Sequence, residues 1–143
     1  MKLTLKILLA VFIMMQLIVM DKPNFPIDQK AALHPPKDVE VILKKACYDC
    51  HSSHTNYPWY SSLAPLSWTI RDHIKQGRLA LNFSKWKDIP KDKLPHKLDR
   101  AVDTVRIGMM PIPSYTWIHK GAKLSIEEKK KLIEYFESLK QSL

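Results

Sequence analysis

The only two cysteines of the chain stand three residues apart and are followed at once by a histidine, as Cys47-x-x-Cys50-His51. Cys-x-x-Cys-His is the attachment signature for c-type haem. Residues three apart on a helical turn lie on one side, so both sulfurs can reach one edge of a porphyrin and add to its two vinyl groups. The next imidazole can then bind the iron as proximal ligand. The motif predicts haem c, with Cys47 and Cys50 as thioethers and His51 on the iron.

A second segment offers a ligand for the opposite face of the iron. Gly108-Met109-Met110-Pro111 lies in a predicted loop between two helices, where a thioether held beside a proline can meet a haem. A single methionine is more often core filler. Two adjacent ones in such a loop favour Met110 as distal ligand, which would raise the reduction potential relative to two histidines. Met109 and His73 are the alternatives.

Other chemistries fit the motif less well. Zinc could use the two cysteines, His51 and His54, but the second ligand pair that structural zinc sites usually have is missing. A thioredoxin-like redox pair needs a βαβ context, for which the sequence has no signal. A disulfide between Cys47 and Cys50 would close a very small loop and constrain the unfolded chain little. A chance match without a cofactor stays open.

Residues 1–20 have the pattern of a membrane-directed segment. Lys2 and Lys6 flank an apolar run that continues to residue 20 and is interrupted only by Gln16. As a helix, about 18 residues would span about 27 Å, which marginally crosses a bilayer. No small-residue cleavage site follows, so we predict an uncleaved signal-anchor; a cleaved signal and a buried core helix are the alternatives. The positive-inside rule then places the remainder on the periplasmic or extracytoplasmic side of the cell membrane.

The remaining chain is strongly basic. With Lys2 and Lys6 set aside, 21 basic residues face 14 acidic ones, a net charge of +7. Such a surface favours an acidic redox partner protein or anionic lipid head groups. We expect no nucleic-acid partner, because no binding motif is present and an exported chain meets little nucleic acid.

Composition and periodicity predict an all-α, single-domain protein. A chain of 143 residues suits one small domain, and three glycines against ten prolines suit helices with stiff connections. Residues 21–36 hold four prolines and are predicted as a tether, and residues 37–143 as the haem-binding domain. Apolar residues at helical spacing mark the buried faces of four helices: Val39, Ile42, Leu43 and Ala46; Leu66, Ile70, Ile74 and Gly77; Leu98, Ala101, Val102 and Val105; Leu132, Ile133, Phe136 and Leu139.

Aromatic residues concentrate in the segments that connect the predicted helices and at the start of the second of these helices. An apolar planar cofactor needs aromatic walls, although an ordinary core would use the same residues. The residues are Tyr57, Trp59, Tyr60, Trp68, Phe83, Trp86, Tyr115 and Trp117. Arg71, Arg78 and Arg106 are candidates for a haem propionate.

Three stretches resemble a family of bacterial exported haem-binding domain proteins related to small c-type cytochromes. They are CYDCHSSHTNYPWYSSLAPLSW, RDHIKQGRLALNFSKW and MMPIPSYTWIHKGAKLSIEE. The resemblance implies a cytochrome c-like helical fold with His51 proximal. The family's Met-Pro falls on Met110-Pro111, and its loop tyrosine and histidine fall on Tyr115 and His119. Relatives commonly have His-Pro where this chain has His119-Lys120.

These patterns lead to one main functional hypothesis and one rival. The first is one-electron transfer by iron held between His51 and Met110, with no bond of a substrate made or broken. The rival is a haem peroxidase or a gas or redox sensor, which needs an open or easily vacated iron position. The expected six-coordinate iron favours an electron carrier over an enzyme.

Overall fold

The computed structural model describes residues 2–143 and contains seven α-helices. They are α1 (Lys2–Gln16), α2 (Lys37–Ala46), α3 (Tyr48–His51), α4 (Leu66–Ala80), α5 (Leu94–Arg106), α6 (Pro113–Ile118) and α7 (Ile126–Gln141). Three short 3-10 turns lie between them, at Trp59–Ser62, Phe83–Asp88 and Lys120–Ala122. No residue in this range is in a strand, so the all-α prediction is confirmed.

The core forms where α2, α5 and α7 meet. Leu43, Leu98 and Leu132, one from each helix, have no exposed surface. The predicted apolar faces of these three helices are the ones that pack together, because burying one apolar stripe on another removes the most hydrocarbon from water. Helix α4 differs: Leu66 remains 41% exposed, and its buried residues are Ser67, Ile74 and Gly77.

Helix α7 begins at a capping box. The Ser125 hydroxyl accepts from the Glu128 N–H at 3.1 Å, and the Glu128 carboxylate accepts from the Ser125 N–H at 2.9 Å. Glu128 also pairs with Lys45 of α2 at 2.6 Å. The cap therefore joins the last helix to the helix that leads into the motif.

Residues 21–36 contain no helix, yet they are hydrogen-bonded along the domain. Asn24 and Thr55 exchange two bonds, from Thr55 N–H to Asn24 Oδ1 at 2.8 Å and from Asn24 Nδ2 to Thr55 O at 3.0 Å. Further along, the Leu33 N–H donates to Phe83 O at 2.8 Å. The segment predicted as a tether is thus held against the domain over much of its length.

The N-terminal helix is present but shorter than the predicted anchor. Helix α1 has 15 residues, none of them buried, and it ends at Gln16, so residues 17–20 lie outside it; Met1 lies outside the described residues. The helix ends where the Gln16 side chain pairs with the backbone of Ala64, its Oε1 accepting at 3.0 Å and its Nε2 donating at 3.2 Å. Within residues 2–143, no helix has the length and apolar character needed to cross a membrane.

Candidate functional site

The Cys-x-x-Cys-His motif forms a single helical turn that continues α2 after a break at Cys47. Cys47 leaves helical geometry, with φ −127° and ψ −38°, while its N–H still bonds Leu43 O at 2.8 Å. Its carbonyl accepts from the N–H groups of Cys50 at 3.1 Å and of His51 at 2.9 Å. Both cysteines are free of any disulfide and are half-buried. The predicted residues therefore lie together, with two free thiols and one imidazole.

The imidazole of His51 is fixed in one orientation by the chain that follows α4. Its Nδ1 lies 2.9 Å from Leu81 O, a carbonyl that can only accept, so Nδ1 carries the proton. The other ring nitrogen, Nε2, is then left with a free lone pair. Burial lowers the pKa of His51, partly offset by backbone hydrogen bonds, and so favours the neutral ring. A neutral, oriented imidazole is the form that binds a metal.

The pKa values of the two thiols are shifted in the opposite direction to those of a redox-active pair. Desolvation raises the pKa of Cys47 to about 12, with a smaller contribution from Cys50. Desolvation, followed by the charge of Asp49, raises the pKa of Cys50 to about 11. Reactive thioredoxin-like cysteines have lowered pKa values, so the thioredoxin alternative is disfavoured. Nor do any three His, Cys, Asp or Glu side chains among residues 2–143 form a group that could hold a metal ion, as the zinc alternative requires.

Gly77 lets the motif turn lie directly against α4. A Cβ added there would stand 2.5 Å from Cys50 O and 3.0 Å from Cys50 Cβ. Real Cβ atoms essentially never approach backbone this closely, so only glycine permits the contact. The sequence places Gly77 on the buried face of α4 but does not reveal that its partner is the backbone of the motif.

Arg78 holds the segment that leaves the motif. Its Nε donates to Ser52 O at 2.7 Å, its Nη1 to Pro23 O at 2.8 Å, and its Nη2 to Ser53 O at 3.2 Å and Thr55 Oγ1 at 3.1 Å. Three of its nitrogens are thus committed to protein oxygens. Arg78 therefore has structural partners within the chain, and its propionate role stays a prediction.

In the loop predicted to carry the distal ligand, the two methionines differ in exposure. Met110 is half-buried and packs against the same core that Cys47 contacts, and its N–H bonds Thr104 O at 3.0 Å. Met109 is 58% exposed. Gly108 turns the chain at the end of α5 with φ +77°, a region that side chains rarely adopt. Of the two methionines, Met110 is the one directed inward.

A network of side chains joins this loop to the motif. The Tyr115 hydroxyl donates to Asp49 Oδ2 at 2.7 Å. The Tyr115 ring stacks on His119 with centroids 4.4 Å apart, and His119 Nε2 shares a hydrogen bond of 2.5 Å with the Tyr60 hydroxyl. Asp49 was not predicted from the sequence, because a carboxylate between two cysteines gives no signal of a partner 66 residues away.

The other candidates lie apart from this constellation or are engaged elsewhere. His73 is half-buried on α4. Arg106 pairs with Glu137 at 3.2 Å, and Arg71 lies 3.6 Å from Asp21. Cavities of about 530 Å³ between α5 and α7 and about 290 Å³ beside Tyr48 are not lined by the motif cysteines, His51 or Met110. The candidate site is therefore recognised by the sulfur atoms of Cys47 and Cys50 and the imidazole of His51, and not by a cavity.

The comparison with known families agrees with this donor set. The model of a family described as the haem-binding domain matches residues 10–138, which includes the whole motif and the methionine loop. The chain belongs to this haem-binding domain family. No curated protein and no solved structure matches the chain.

Membership of the haem-binding domain family makes haem the cofactor of this protein. The residues present fit the group, because two unlinked thiols on one turn adjoin an imidazole with a free Nε2. Several large apolar side chains in the neighbouring segments remain exposed: Trp59 at 79%, Leu63 at 41%, Met109 at 58%, Trp117 at 81% and Ile118 at 48%. A haem-binding domain needs such surface beside its ligands, since haem is mostly apolar.

Proposed function

We propose that this domain holds a covalent c-type haem through thioethers at Cys47 and Cys50, with His51 as proximal iron ligand, in a cytochrome c-like arrangement of its helices. The observation that carries the proposal is the fixed imidazole beside two free thiols on one helical turn. An imidazole whose Nδ1 is tied to a backbone carbonyl loses little orientational freedom on binding iron.

Met110 is the proposed distal ligand. Its side chain packs on the same core as Cys47, and its loop is drawn toward the motif by the bond from Tyr115 to Asp49. Met109, its neighbour, is mostly exposed, which makes it the poorer candidate.

One-electron transfer is the proposed activity. When bound, haem supplies an iron centre that changes oxidation state by one electron. The chain's part is to hold both axial positions, so that His51 and Met110 leave no position for a substrate. The net charge of +7 that remains when Lys2 and Lys6 are set aside would attract an acidic redox partner into a small, transient interface.

We further propose that the domain works at the extracytoplasmic face of the cell membrane, attached through its N-terminal segment. The support is the apolar, unburied α1 and the lysines at positions 2 and 6. A fusion of an extracytoplasm-dependent reporter enzyme to the C-terminus would be active under this proposal. A reporter active only in the cytoplasm would reject it.

The haem proposal is tested by making the full chain together with the haem-attachment machinery. A pyridine haemochrome spectrum that persists after denaturation is expected for the wild type, because thioethers survive unfolding. Cys47→Ser and Cys50→Ser should each leave one thioether and shift that spectrum. A wild-type haem that is extracted by acidified solvent would contradict covalent attachment.

The electron-transfer proposal is tested with carbon monoxide. A ferrous, low-spin wild type that binds carbon monoxide slowly is expected, and Met110→Ala should bind it quickly and have a lower reduction potential. Met109→Ala is the matched control and should behave as the wild type. Rapid binding by the untreated wild type would instead favour a gas sensor or a peroxidase.

A further inference from the structure

The carboxylate of Asp49 joins the motif turn to Tyr115, and Tyr115 is linked in turn to Tyr60 through His119. Asp49 lies in the motif turn, Tyr115 in α6 and Tyr60 in the turn Trp59–Ser62. Asp49 Oδ2 accepts the Tyr115 hydroxyl at 2.7 Å, and Asp49 Oδ1 accepts the Asn56 N–H at 3.1 Å. Both carboxylate oxygens therefore have donors. The Tyr115 ring is stacked on His119, which in turn bonds the Tyr60 hydroxyl.

Helix α6 depends on such contacts for its position. It has six residues, far too few for a helix that is stable by itself in water. Trp117 and Ile118, at its end, are 81% and 48% exposed, so its C-terminal part buries little surface. The hydroxyl of Tyr115 is consequently a main contact between α6 and the motif.

Tyr115 is also only five positions after Met110, so the contact that fixes one restrains the other. Met110 itself bonds through its N–H to Thr104 at the end of α5. The loop between them is thus attached at two points, one on α5 and one on the motif turn. Loss of either attachment leaves the loop held from one side.

We propose that the Asp49–Tyr115 hydrogen bond is a positioning contact that keeps the methionine loop over the haem-attachment turn and so sets how readily Met110 leaves the iron. Tyr60 and His119 hold the tyrosine ring in the orientation that the bond requires. This inference rests on the proposed function, in which Met110 is the distal ligand. Asp49 and Tyr115 act through Met110 and touch no substrate.

The chemistry of the two groups suits a permanent contact. Burial, followed by the hydrogen bond to Asp49, raises the pKa of Tyr115, so the hydroxyl keeps its proton and remains a donor. A bond from a neutral donor to a carboxylate is stronger than one between two neutral groups. Removing the hydroxyl deprives the carboxylate of that donor and releases the loop.

The test is the rate at which imidazole replaces the distal ligand in the ferric holoprotein. Tyr115→Phe removes only the hydroxyl and should speed replacement about tenfold, the effect of losing a charge-assisted hydrogen bond. Tyr135→Phe is the matched control, because Tyr135 lies in α7 and its hydroxyl takes part in neither of the hydrogen bonds of Tyr115 and Tyr60, and it should leave the rate unchanged. Asp49→Asn keeps an acceptor oxygen and should give an intermediate rate.

Hydrogen exchange gives a second measurement that does not depend on the ligand of the iron. In α6 and at its ends, the Thr116 N–H donates to Ile112 O at 3.2 Å and the His119 N–H donates to Tyr115 O at 2.8 Å. Their exchange should be faster in Tyr115→Phe than in Tyr135→Phe, because the helix loses an attachment. Amides of α2 should be unaffected in both variants.

The outcomes separate the two proposals. Equal imidazole rates and equal exchange in Tyr115→Phe and Tyr135→Phe would overturn the positioning role while leaving the haem proposal intact. A wild type that lacks the sulfur-to-iron charge-transfer band would reject Met110 as ligand, and with it the stated control of ligand release. Faster α6 exchange in that case would show that the contact holds the loop for another purpose.

Discussion

The turn that carries Cys47, Cys50 and His51 and the loop that carries Met110 are held in different ways. The turn has backbone contact with Gly77, a backbone acceptor for His51 at Leu81, and the bonds of Arg78 to the residues that follow it. The loop depends on the packing of Met110, on one backbone bond from its N–H to Thr104 O, and on the hydroxyl of Tyr115. The motif turn is therefore held rigidly, and the methionine loop can yield under a modest change.

This difference suits a haem-binding domain in which one ligand is permanent. The proposed thioethers and proximal bond would need the motif in one geometry, which close backbone packing supplies. The proposed distal ligand would need to be held only firmly enough to exclude other ligands from the iron. Restraint by side chains allows that hold to be adjusted without disturbing the rest of the fold.

Gly77→Ala should disturb the rigidly held motif turn and have the largest effect of the four variants described below. The new Cβ would stand 2.5 Å from Cys50 O, where backbone rather than a flexible side chain would have to move. We expect a loss of roughly 3 kcal/mol in unfolding free energy from overpacking, together with poor haem attachment. Urea unfolding and the yield of covalent haem measure both. Gly121→Ala, which meets nothing within 4 Å, is the control.

Arg78→Met should loosen the proximal side by a smaller amount. The variant keeps an apolar stem but removes one donor from each of three carbonyls. Ser52 O is left without a donor, whereas Ser53 O keeps the Phe25 N–H and Pro23 O keeps the Tyr57 hydroxyl. We expect about 2 kcal/mol of destabilisation, since these acceptors are partly buried. Arg71→Met removes only a 3.6 Å surface pair and should cost under about 0.5 kcal/mol. Equal unfolding midpoints for the two variants would contradict the role given to Arg78.

Gly108→Ala should affect the distal loop selectively. Alanine is strained at φ +77°, and we expect a loss of about 1 kcal/mol. Because Gly108 precedes the methionines, carbon monoxide binding should also be faster, while thioether formation is unchanged. The comparison between the two regions would be wrong if haem attachment fell and ligand exchange stayed at the wild-type rate.

Glu128→Gln should have the smallest effect and should leave both regions intact. The hydrogen bond from Lys45, followed by that from Ser125, lowers the pKa of Glu128 below its ordinary 4.5. Its stabilising contribution is therefore present above that pH and is lost as the pH falls through the lowered value. The wild type should lose slightly more stability than Glu128→Gln on acidification below pH 4.5, measured by thermal unfolding, with identical haem spectra at neutral pH.

Much of the scaffold was predictable because its signals are local. The stripe at Val39, Ile42 and Leu43 and the box at Ser125 and Glu128 depend on neighbours within one or two helical turns. The motif is equally local, so its two thiols and imidazole were correctly placed on one turn. Helix α6 was not predicted, since its six residues lie among prolines and aromatics without a clear apolar stripe.

The sequence by itself determined which residues are proposed to hold the haem, because the spacing of two cysteines and a histidine is a chemical requirement carried in five consecutive positions. Only the tertiary structure decided how those residues are held. Gly77 meets Cys50 and Tyr115 meets Asp49 through chain segments that are 27 and 66 residues apart in sequence, so no local pattern records either contact. The physical reason is that both contacts require exact distances between separate helices, and these distances exist only once the core of α2, α5 and α7 has packed.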